Sequence, residues 1–437
     1  MLFLKRAFSL HYYPDSALAG FWKGYRRFFS IAEIETTSAL KWFWGAIIVG
    51  FFLRFSSLVG SEGSFITSEN FKSMNYTCWP FFQSCGEWYL FSGYPHGYAL
   101  SAIYAVFFGF MALIAFFMWK QEWALAHFFT LPLFFWKFIL TFVFSMSYVA
   151  NFDYYQIILA LIFLFFPRKL FFLRLTLVLL YFLASTVKFH EGWILGTYFT
   201  TLKTGLPIFP DSLTPLATNM VIFGEMAVSW FLLSSRDWLR RTALTYFTFF
   251  HLYSITLVGY TYPTIVLSPV LILFGMNKKR PEPPFDKKSL LGWGLIVFLF
   301  LGQLSHLVIR GDTKFTLEGN YHGLYMFEAN HQCVSSATVY LMDQTAYNLE
   351  NESISARFRC SPYLTWFFLQ QICKRGANVE RIQWRFDHSI NGGPFYRIVD
   401  EENACQLQYH TLRHNEWIRL PEEGAEIIGY PVKNIYY

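Results

Sequence analysis

Charged side chains are scarce in this 437-residue chain: Asp, Glu, Lys and Arg make up 15% of it, whereas hydrophobic residues make up 54%. The sequence also lacks a glycine-rich phosphate loop, a G-x-S-x-G nucleophile elbow, an H-E-x-x-H pair and any metal-ligand spacing of cysteine and histidine. These absences argue against a P-loop nucleotide hydrolase, a serine hydrolase of that type and a zinc peptidase. We expect no metal cofactor.

Internal repeats and low-complexity tracts are also lacking. There are no Gly/Pro-broken hydrophobic segments at corresponding places in two halves, which disfavours a transporter built on inverted repeats. The first 40 residues are basic and aromatic without a clean apolar core, so we expect no cleavable signal peptide. The first spanning helix would then direct insertion itself.

Long apolar runs are what the sequence has instead. A membrane-spanning helix needs about 20 apolar residues, and runs of this kind recur through the first 310 residues. The hydropathy predicts an α-helical polytopic membrane protein of about nine spans, at 41–58, 98–118, 127–147, 150–166, 170–187, 217–234, 241–258, 261–275 and 290–308.

The distribution of charge sets the expected topology. Residues 310–437 carry a net charge of −3 and residues 1–309 carry +9, with the basic residues concentrated before the first span and in alternate short loops. We therefore predict a cytoplasmic segment (1–40), a transmembrane domain (41–309) and an extracytoplasmic domain (310–437). The setting would be a bacterial inner membrane and periplasm, or the ER membrane if the protein is eukaryotic. The expected partner is the lipid bilayer, not nucleic acid.

The six cysteines agree with this topology. Cys78 and Cys85 fall in the first outer loop, and the other four fall in the C-terminal domain, namely Cys333, Cys360, Cys373 and Cys405. Disulfides persist outside the cytosol, so up to three bridges are expected. Six cysteines allow 15 pairings, and the sequence leaves the connectivity open.

The C-terminal domain is predicted to be a small α+β domain. Residues 336–343 and 381–390 alternate polar and apolar side chains as strands do. Residues 361–376 read as an amphipathic helix that begins after Ser361-Pro362 and stops at Gly376.

Lys188 ends a long apolar run in the stretch "LASTVKFHEGW" (183–193). One interpretation is an interfacial anchor, in which the ammonium reaches the membrane surface and Trp193 joins the aromatic belt. The other is a buried amine whose charged form is disfavoured by desolvation, which would leave a neutral base near pH 7.

Three polar residues lie inside other predicted spans. His251 and Ser254 occur near the middle of the seventh span, and Glu225 lies in the sixth. Polar groups at such depth are costly and are often functional. Alternatively, His251 makes a structural hydrogen bond between helices, and Glu225 forms a structural pair with Lys188 or His251. Asn151, at an outer turn, has the ordinary reading of a helix cap.

Taken together, several segments resemble the vitamin K-dependent gamma-carboxylase family and its bacterial relatives, the horizontally transferred transmembrane (HTTM) domain proteins. The segments, in chain order, are "SYVANFDYYQ", "YFLASTVKFHEGW", "FFHLYSITLVGYTYP", "YHGLYMFEANHQCV" and "WRFDHSINGGPF". The resemblance extends over nearly the whole chain.

The resemblance implies an enzyme that uses a reduced naphthoquinone and O2, as an epoxidase, with CO2 captured by a peptide glutamate if carboxylation is coupled. It implies Lys188 as the base, with His251 and Asn151 orienting the substrate. Further substrate or cofactor contacts would come from Glu225, Ser254, Tyr198, Trp193 and Asn391. It also implies a disulfide between Cys78 and Cys373. The partner would be a periplasmic or lumenal protein or peptide.

The chain departs from the family pattern at several positions. Phe152 replaces a histidine, Val187 replaces a second lysine, and Gly393 stands where the family has an arginine. A second family arginine is missing between Met326 and His331. These departures favour quinone chemistry over peptide carboxylation. They also sustain the alternative of a non-catalytic membrane scaffold whose outer domain binds a periplasmic protein or lipid.

Overall fold

The computed structural model describes residues 17–60, 77–85, 96–139, 141–142, 151–202, 205–276, 282–349, 360–376 and 378–430. Residues 1–16 of the predicted cytoplasmic segment, residues 140 and 143–147 of the third predicted span and residue 150 of the fourth lie outside this described part. Helices dominate up to residue 316, and the strands begin at residue 331.

The helical part places its elements close to the apolar runs of the sequence. Its helices are α1 (Ala17–Phe28), α2 (Ile31–Thr36), α3 (Ser38–Gly60), α4 (His96–Trp119), α5 (Trp123–Ile139), α6 (Asn151–Phe165), α7 (Lys169–Thr186), α8 (Glu191–Ile194), α9 (Thr197–Thr200), α10 (Thr214–Phe223), α11 (Ser229–Phe231), α12 (Asp237–Val258), α13 (Thr261–Val270), α14 (Leu290–Leu304) and α15 (Thr313–Thr316). Wide π turns follow α10 at Gly224–Val228 and α13 at Leu271–Gly275.

Aromatic side chains form much of the helical core. Trp44 on α3 and Phe163 on α6 are fully buried, with ring centres 5.2 Å apart. His127 on α5 is also buried, and both of its ring nitrogens have partners: the Tyr25 hydroxyl and the Leu164 carbonyl lie within hydrogen-bond distance. The apolar runs therefore pack against one another to a large extent.

The prediction of a nine-span polytopic protein is wrong. Among the described residues, only Lys169–Thr186 and Lys287–Val308 are long and apolar enough to cross a membrane. The other apolar helices are shorter, as in Asn151–Phe165, or are interrupted by a π turn, as in the predicted span 217–234. At 1.5 Å per residue, a 15-residue helix falls well short of a hydrocarbon core of about 30 Å. The chain is a mixed α and β structure with an antiparallel sheet.

The strands form a five-stranded sheet in the order β2-β1-β3-β4-β5, with every neighbouring pair antiparallel. They are β1 (His331–Leu341), β2 (Ala346–Leu349), β3 (Val379–Ile390), β4 (Phe395–Glu401) and β5 (Glu426–Gly429). The helix α16 (Pro362–Arg375) packs on β3. Alternate β3 residues Ile382, Trp384 and Phe386 are fully buried, as a period of two requires. The two predicted strands and the predicted helix of this region are thus confirmed.

Three disulfides are present, but the pairing implied by the resemblance is wrong. Cys78 bonds to Cys85, and Cys373 bonds to Cys405; the third bridge joins Cys333 to Cys360. The seven-residue loop brings the Cys78 and Cys85 Cα atoms to 5.4 Å, well within the reach of a disulfide. Three bridges are typical of an oxidising, extracytoplasmic setting.

Hydrogen bonds join the sheet region to the helices. Gln303 of α14 bonds to both backbone groups of Leu324. Asn330, just before β1, donates its side-chain amide to the Thr201 hydroxyl at 3.0 Å. These contacts hold the connection 321–330 against α14 and against the segment that follows Lys188.

Candidate functional site

Lys188 lies just past the end of α7, whose last residue is Thr186. Its side chain turns inward and the residue is 1% exposed, so the ammonium does not reach the surface as an interfacial anchor would. The Nζ atom donates to Oε2 of Glu225 at 2.5 Å. The apolar run therefore ends in a buried charged group with a specific partner.

The backbone of Glu225 lies in the π turn Gly224–Val228. Such a turn inserts an extra residue into a helix and often marks a functional position. Glu225 is 3% exposed, and its backbone carbonyl accepts the Ser229 hydroxyl at 2.7 Å. Desolvating two opposite charges is costly unless they are paired, which explains why Glu225 and Lys188 occur together.

Trp193 lies beside this pair. Its ring centre is 5.4 Å from the Lys188 Nζ atom, within the range of a cation–π interaction. Its indole N–H donates to the Phe327 carbonyl. Tyr198 packs against Trp193, with its ring centre 5.7 Å from that of Trp193, and burial raises the pKa of the Tyr198 phenol.

A cavity of about 450 Å³ opens next to the pair. We call it the Lys188 cavity. It is lined by Lys188, Trp193, Phe199, Leu206, Phe209, Ala217, Thr218, Met220, Val221, Glu225, Tyr246, Phe249, Phe250, Tyr253, Ser254, Leu257, Val258, Tyr262, Met326 and Phe327. Lys188 and Glu225 carry the formal charges of this lining, and the other side chains are mostly aromatic or aliphatic.

Several hydroxyl groups of the lining already have backbone partners. Ser254 donates to the Phe250 carbonyl, Thr218 to the Thr214 carbonyl, and Tyr246 to the Met220 carbonyl. The Tyr253 hydroxyl donates to the Pro207 carbonyl. A polar group of a ligand would therefore find its main partner in the Lys188–Glu225 pair.

The structure brings together four of the residues predicted for the site. Lys188, Trp193, Glu225 and Ser254 all line the cavity, and Tyr198 packs against Trp193. Of the two pairings considered for Glu225, the structure has the one with Lys188.

His251 lies next to the cavity but outside its lining. Its Nε2 atom is 2.6 Å from the Tyr181 hydroxyl, and its ring centre is 5.9 Å from that of Tyr262, which does line the cavity. The bond to Tyr181 joins α12 to α7, as the structural alternative for His251 required.

Asn151 and Asn391 also lie outside the cavity lining. The Asn151 amide donates to the Tyr325 carbonyl at 2.6 Å. Asn391 pairs with Asn330 through its backbone N–H, and its side-chain oxygen accepts the Asn330 N–H. Both asparagines fix the connection 321–330 that forms the roof of the cavity.

Phe327 was missed by sequence reasoning. It lines the cavity, holds Trp193 through its carbonyl and has a φ of 59°, a conformation that is uncommon for a bulky residue. Tyr253 was missed too, although it lies two residues from His251. Phe327 lies in the segment "YHGLYMFEANHQCV", which carries part of the resemblance, but the resemblance implied no role for it.

The described residues contain no group of three or more His, Cys, Asp or Glu side chains arranged to hold a metal ion. Comparison with protein-family models, curated proteins and solved structures finds no match. The function is therefore inferred from the geometry of the Lys188 cavity.

Proposed function

We propose that the protein binds a lipophilic molecule with a ring hydroxyl, of the reduced-quinone type, and removes a proton from that hydroxyl. The observation that carries the proposal is the buried Lys188–Glu225 pair at the wall of an otherwise apolar cavity. Lys188 would act as the base, and Glu225 would position it and share its proton.

The size and lining of the cavity suit this class of ligand. Pockets for small molecules typically measure about 300–1,000 Å³ and combine apolar walls with a few polar groups. Trp193 and Phe250, which both line the cavity, offer aromatic faces to a planar ring. The charged pair offers a donor and an acceptor to the ring hydroxyl.

The proton balance is simple. Moving one proton from Lys188 to Glu225 gives an uncharged amine and an uncharged carboxylic acid. The amine lone pair then takes the hydroxyl proton, leaving a ring oxyanion beside the Lys188 ammonium. Apolar walls exclude water, so the anion is stabilised mainly by that ammonium and stays reactive.

Later steps of the reaction remain predictions from the resemblance. A deprotonated reduced quinone is electron-rich and suited to attack by O2. Capture of CO2 by a peptide glutamate is the less favoured extension, because Gly393 stands where the family has an arginine.

We further propose that the protein is an integral membrane protein in which residues 287–308 lie in lipid. That segment is one of two candidate spans among the described residues, and only 17% of its apolar 18-residue stretch is buried within the protein. Phe298, Leu301 and Leu307 are each more than 60% exposed, and Lys287 and Lys288 flank one end. Exposed apolar surface of this extent is unusual in contact with water.

A second candidate function is a scaffold whose sheet region binds a protein or a lipid. The observation that favours it is the edge strand β5, where Ile427 is 65% exposed and Tyr430, just beyond, is 79% exposed. Open apolar edges are sites of strand addition. This function would not require Lys188.

The test uses a hydroxynaphthalene whose anion absorbs at a longer wavelength than the neutral form. We expect the full chain in nanodiscs to bind it as the anion at neutral pH. Lys188→Met should bind it only in the neutral form and should lose at least 100-fold in the rate of O2-dependent oxidation of a reduced naphthoquinone.

Lys120→Met is the matched control, because it makes the same substitution at an exposed lysine. It should behave as the wild type in both assays. Binding of the neutral form alone by the wild type, or unchanged turnover in Lys188→Met, would refute the role of Lys188 as a base.

A further inference from the structure

One side of the Lys188 cavity reaches the surface between α10 and α12. Met220, Phe249, Leu257 and Val258 line the cavity and are nevertheless 53%, 68%, 38% and 36% exposed. A side chain can do both only where the cavity opens outward. We call this opening the Met220–Phe249 slot.

Two hydrogen bonds fix the slot. The Tyr246 hydroxyl of α12 donates to the Met220 carbonyl of α10 at 2.8 Å. The Tyr253 hydroxyl, two turns further along α12, donates to the Pro207 carbonyl at 2.5 Å. Phe249 lies between Tyr246 and Tyr253 in sequence, so α12 is tied to α10 before Phe249 and to the segment that precedes α10 after it.

The helix segments that border the slot are apolar and carry no formal charge. Residues 214–223 of α10 and residues 242–258 of α12 contain no Asp, Glu, Lys or Arg. Leu216, Phe223 and Leu252 are 50–60% exposed on the same two helices. Hydrocarbon solvates such a surface better than water does.

The roof of the cavity, by contrast, is built from side chains that are tied together. Trp193 and Phe327 are joined by a hydrogen bond, and Asn330 and Asn391 hold the same connection. The charged pair lies beside this roof. A molecule that enters through the slot would therefore meet apolar walls first and the ionisable groups afterwards.

We propose that the Lys188 cavity is loaded sideways through the Met220–Phe249 slot, from the hydrocarbon layer of a lipid bilayer. This rests on the proposed function and defines its substrate class further. The ligand is an amphiphile with a hydroxyl-bearing ring and a hydrocarbon tail. The ring lies against Lys188 and Trp193, and the tail leaves between Met220 and Phe249.

The experiment uses an added cysteine in the slot. All six native cysteines are in disulfides, so Phe249→Cys supplies the one free thiol. A spin label on this residue, in protein reconstituted into nanodiscs, should collide more often with O2 than with a water-soluble nickel chelate. The same label on Arg413→Cys, in the sheet region, should show the reverse. A slot label that favours the nickel chelate would overturn loading from lipid.

The second arm blocks the slot. Phe249→Cys is modified with N-pyrenylmaleimide, and the ligand probe is a hydroxynaphthalene with a dodecyl tail. We expect the bound anion to appear at least tenfold more slowly than in the unmodified variant. Phe298→Cys, at an exposed position on α14 outside the cavity, is modified in the same way and should show no change.

The outcomes separate the two proposals. An anion that forms equally fast in the blocked protein overturns the slot and leaves the role of Lys188 intact. No anion in the unmodified protein overturns the proposed function, while the spin label still decides whether the slot faces lipid.

Discussion

The Lys188 ammonium and the Glu225 carboxylate, 37 residues apart in sequence, meet at 2.5 Å with both side chains almost fully buried. One charge comes from the end of α7 and the other from the π turn after α10. Each would be strongly disfavoured without the other. The pair therefore constrains the fold, and in the proposed function it supplies the groups that exchange a proton with the ligand.

The first prediction is a double-mutant cycle on this pair. Lys188→Met and Glu225→Leu should each lower the free energy of unfolding by about 3–5 kcal/mol, because each leaves a buried charge unpaired. The double variant should recover most of that loss, since it buries apolar groups instead. Chemical denaturation followed by circular dichroism measures this. Simple addition of the two single losses would contradict the coupling.

The second prediction concerns the disulfide pairing. A digest under non-reducing conditions should yield a peptide pair joined through Cys373 and Cys405, and Cys78 should be found with Cys85. Mass spectrometry with and without reduction decides this. A peptide pair joining Cys78 to Cys373 would restore the pairing implied by the resemblance.

Removing the longer of these two bridges should also affect stability. Cys373→Ser with Cys405→Ser opens a loop with a sequence separation of 32 residues, and the loss expected from loop entropy is about 3–4 kcal/mol. The matched control is Cys78→Ser with Cys85→Ser, which opens a loop with a separation of only 7 and should cost less.

The sequence was informative about the pair but not about its surroundings. A lysine after an apolar run and a glutamate inside another are visible as exceptions to the local pattern. Phe327 and Tyr253 join the cavity through tertiary contacts, and nothing in their local sequence indicates this. Six cysteines leave 15 pairings open, so the bridges could not be derived either.

The predicted number of membrane spans was wrong for a related reason. Hydropathy records how apolar a helix is and not what surrounds it. Lys169–Thr186 is long and apolar enough to cross a membrane, although 72% of it is buried within the protein. The strands of the sheet region were easier to predict, because alternation at Ile382, Trp384 and Phe386 directly reflects one buried face.

The third prediction is a pH effect at His414. Its Nδ1–H donates to Glu318 Oε2 at 2.7 Å, and this hydrogen bond is the main reason that the pKa of His414 is raised. A raised pKa gives stability that is fully present below about pH 6.5, the unfolded value, and that is lost as pH rises through the folded value. His414→Gln should therefore be most destabilising at pH 5.5 and least at pH 9.

Denaturant titrations of both proteins across that range measure the difference. Glu318→Gln is a useful companion, because it keeps a polar side chain but removes the charge that attracts the proton. The loss of unfolding free energy in Glu318→Gln, relative to the wild type, should show the same dependence on pH. If the loss of unfolding free energy in His414→Gln were constant from pH 5.5 to 9, it would contradict the proposed contribution of His414 protonation to stability.

The fourth prediction is a pH effect of opposite sign at His388. This residue is fully buried on β3, with its Nε2 atom 3.2 Å from Nδ1 of His331. Burial, and then the neighbouring His331, lower the pKa of His388 well below its ordinary value. Below about pH 6.5 the unfolded chain gains a proton at this position and the folded chain does not. The wild type should then lose up to about 1.4 kcal/mol of stability per pH unit from this residue.

His388→Asn keeps a side-chain donor and removes the titration. The variant should be less stable than the wild type at pH 7.5, because a buried aromatic contact with Phe315 is lost, and this deficit should shrink as pH falls toward 5. At His414 the deficit grows over the same interval, so the two variants, measured side by side, should diverge in opposite directions. If the loss of unfolding free energy changed with pH in the same way for both variants, neither histidine would control the acid stability of the sheet region. A different titrating group would then be responsible.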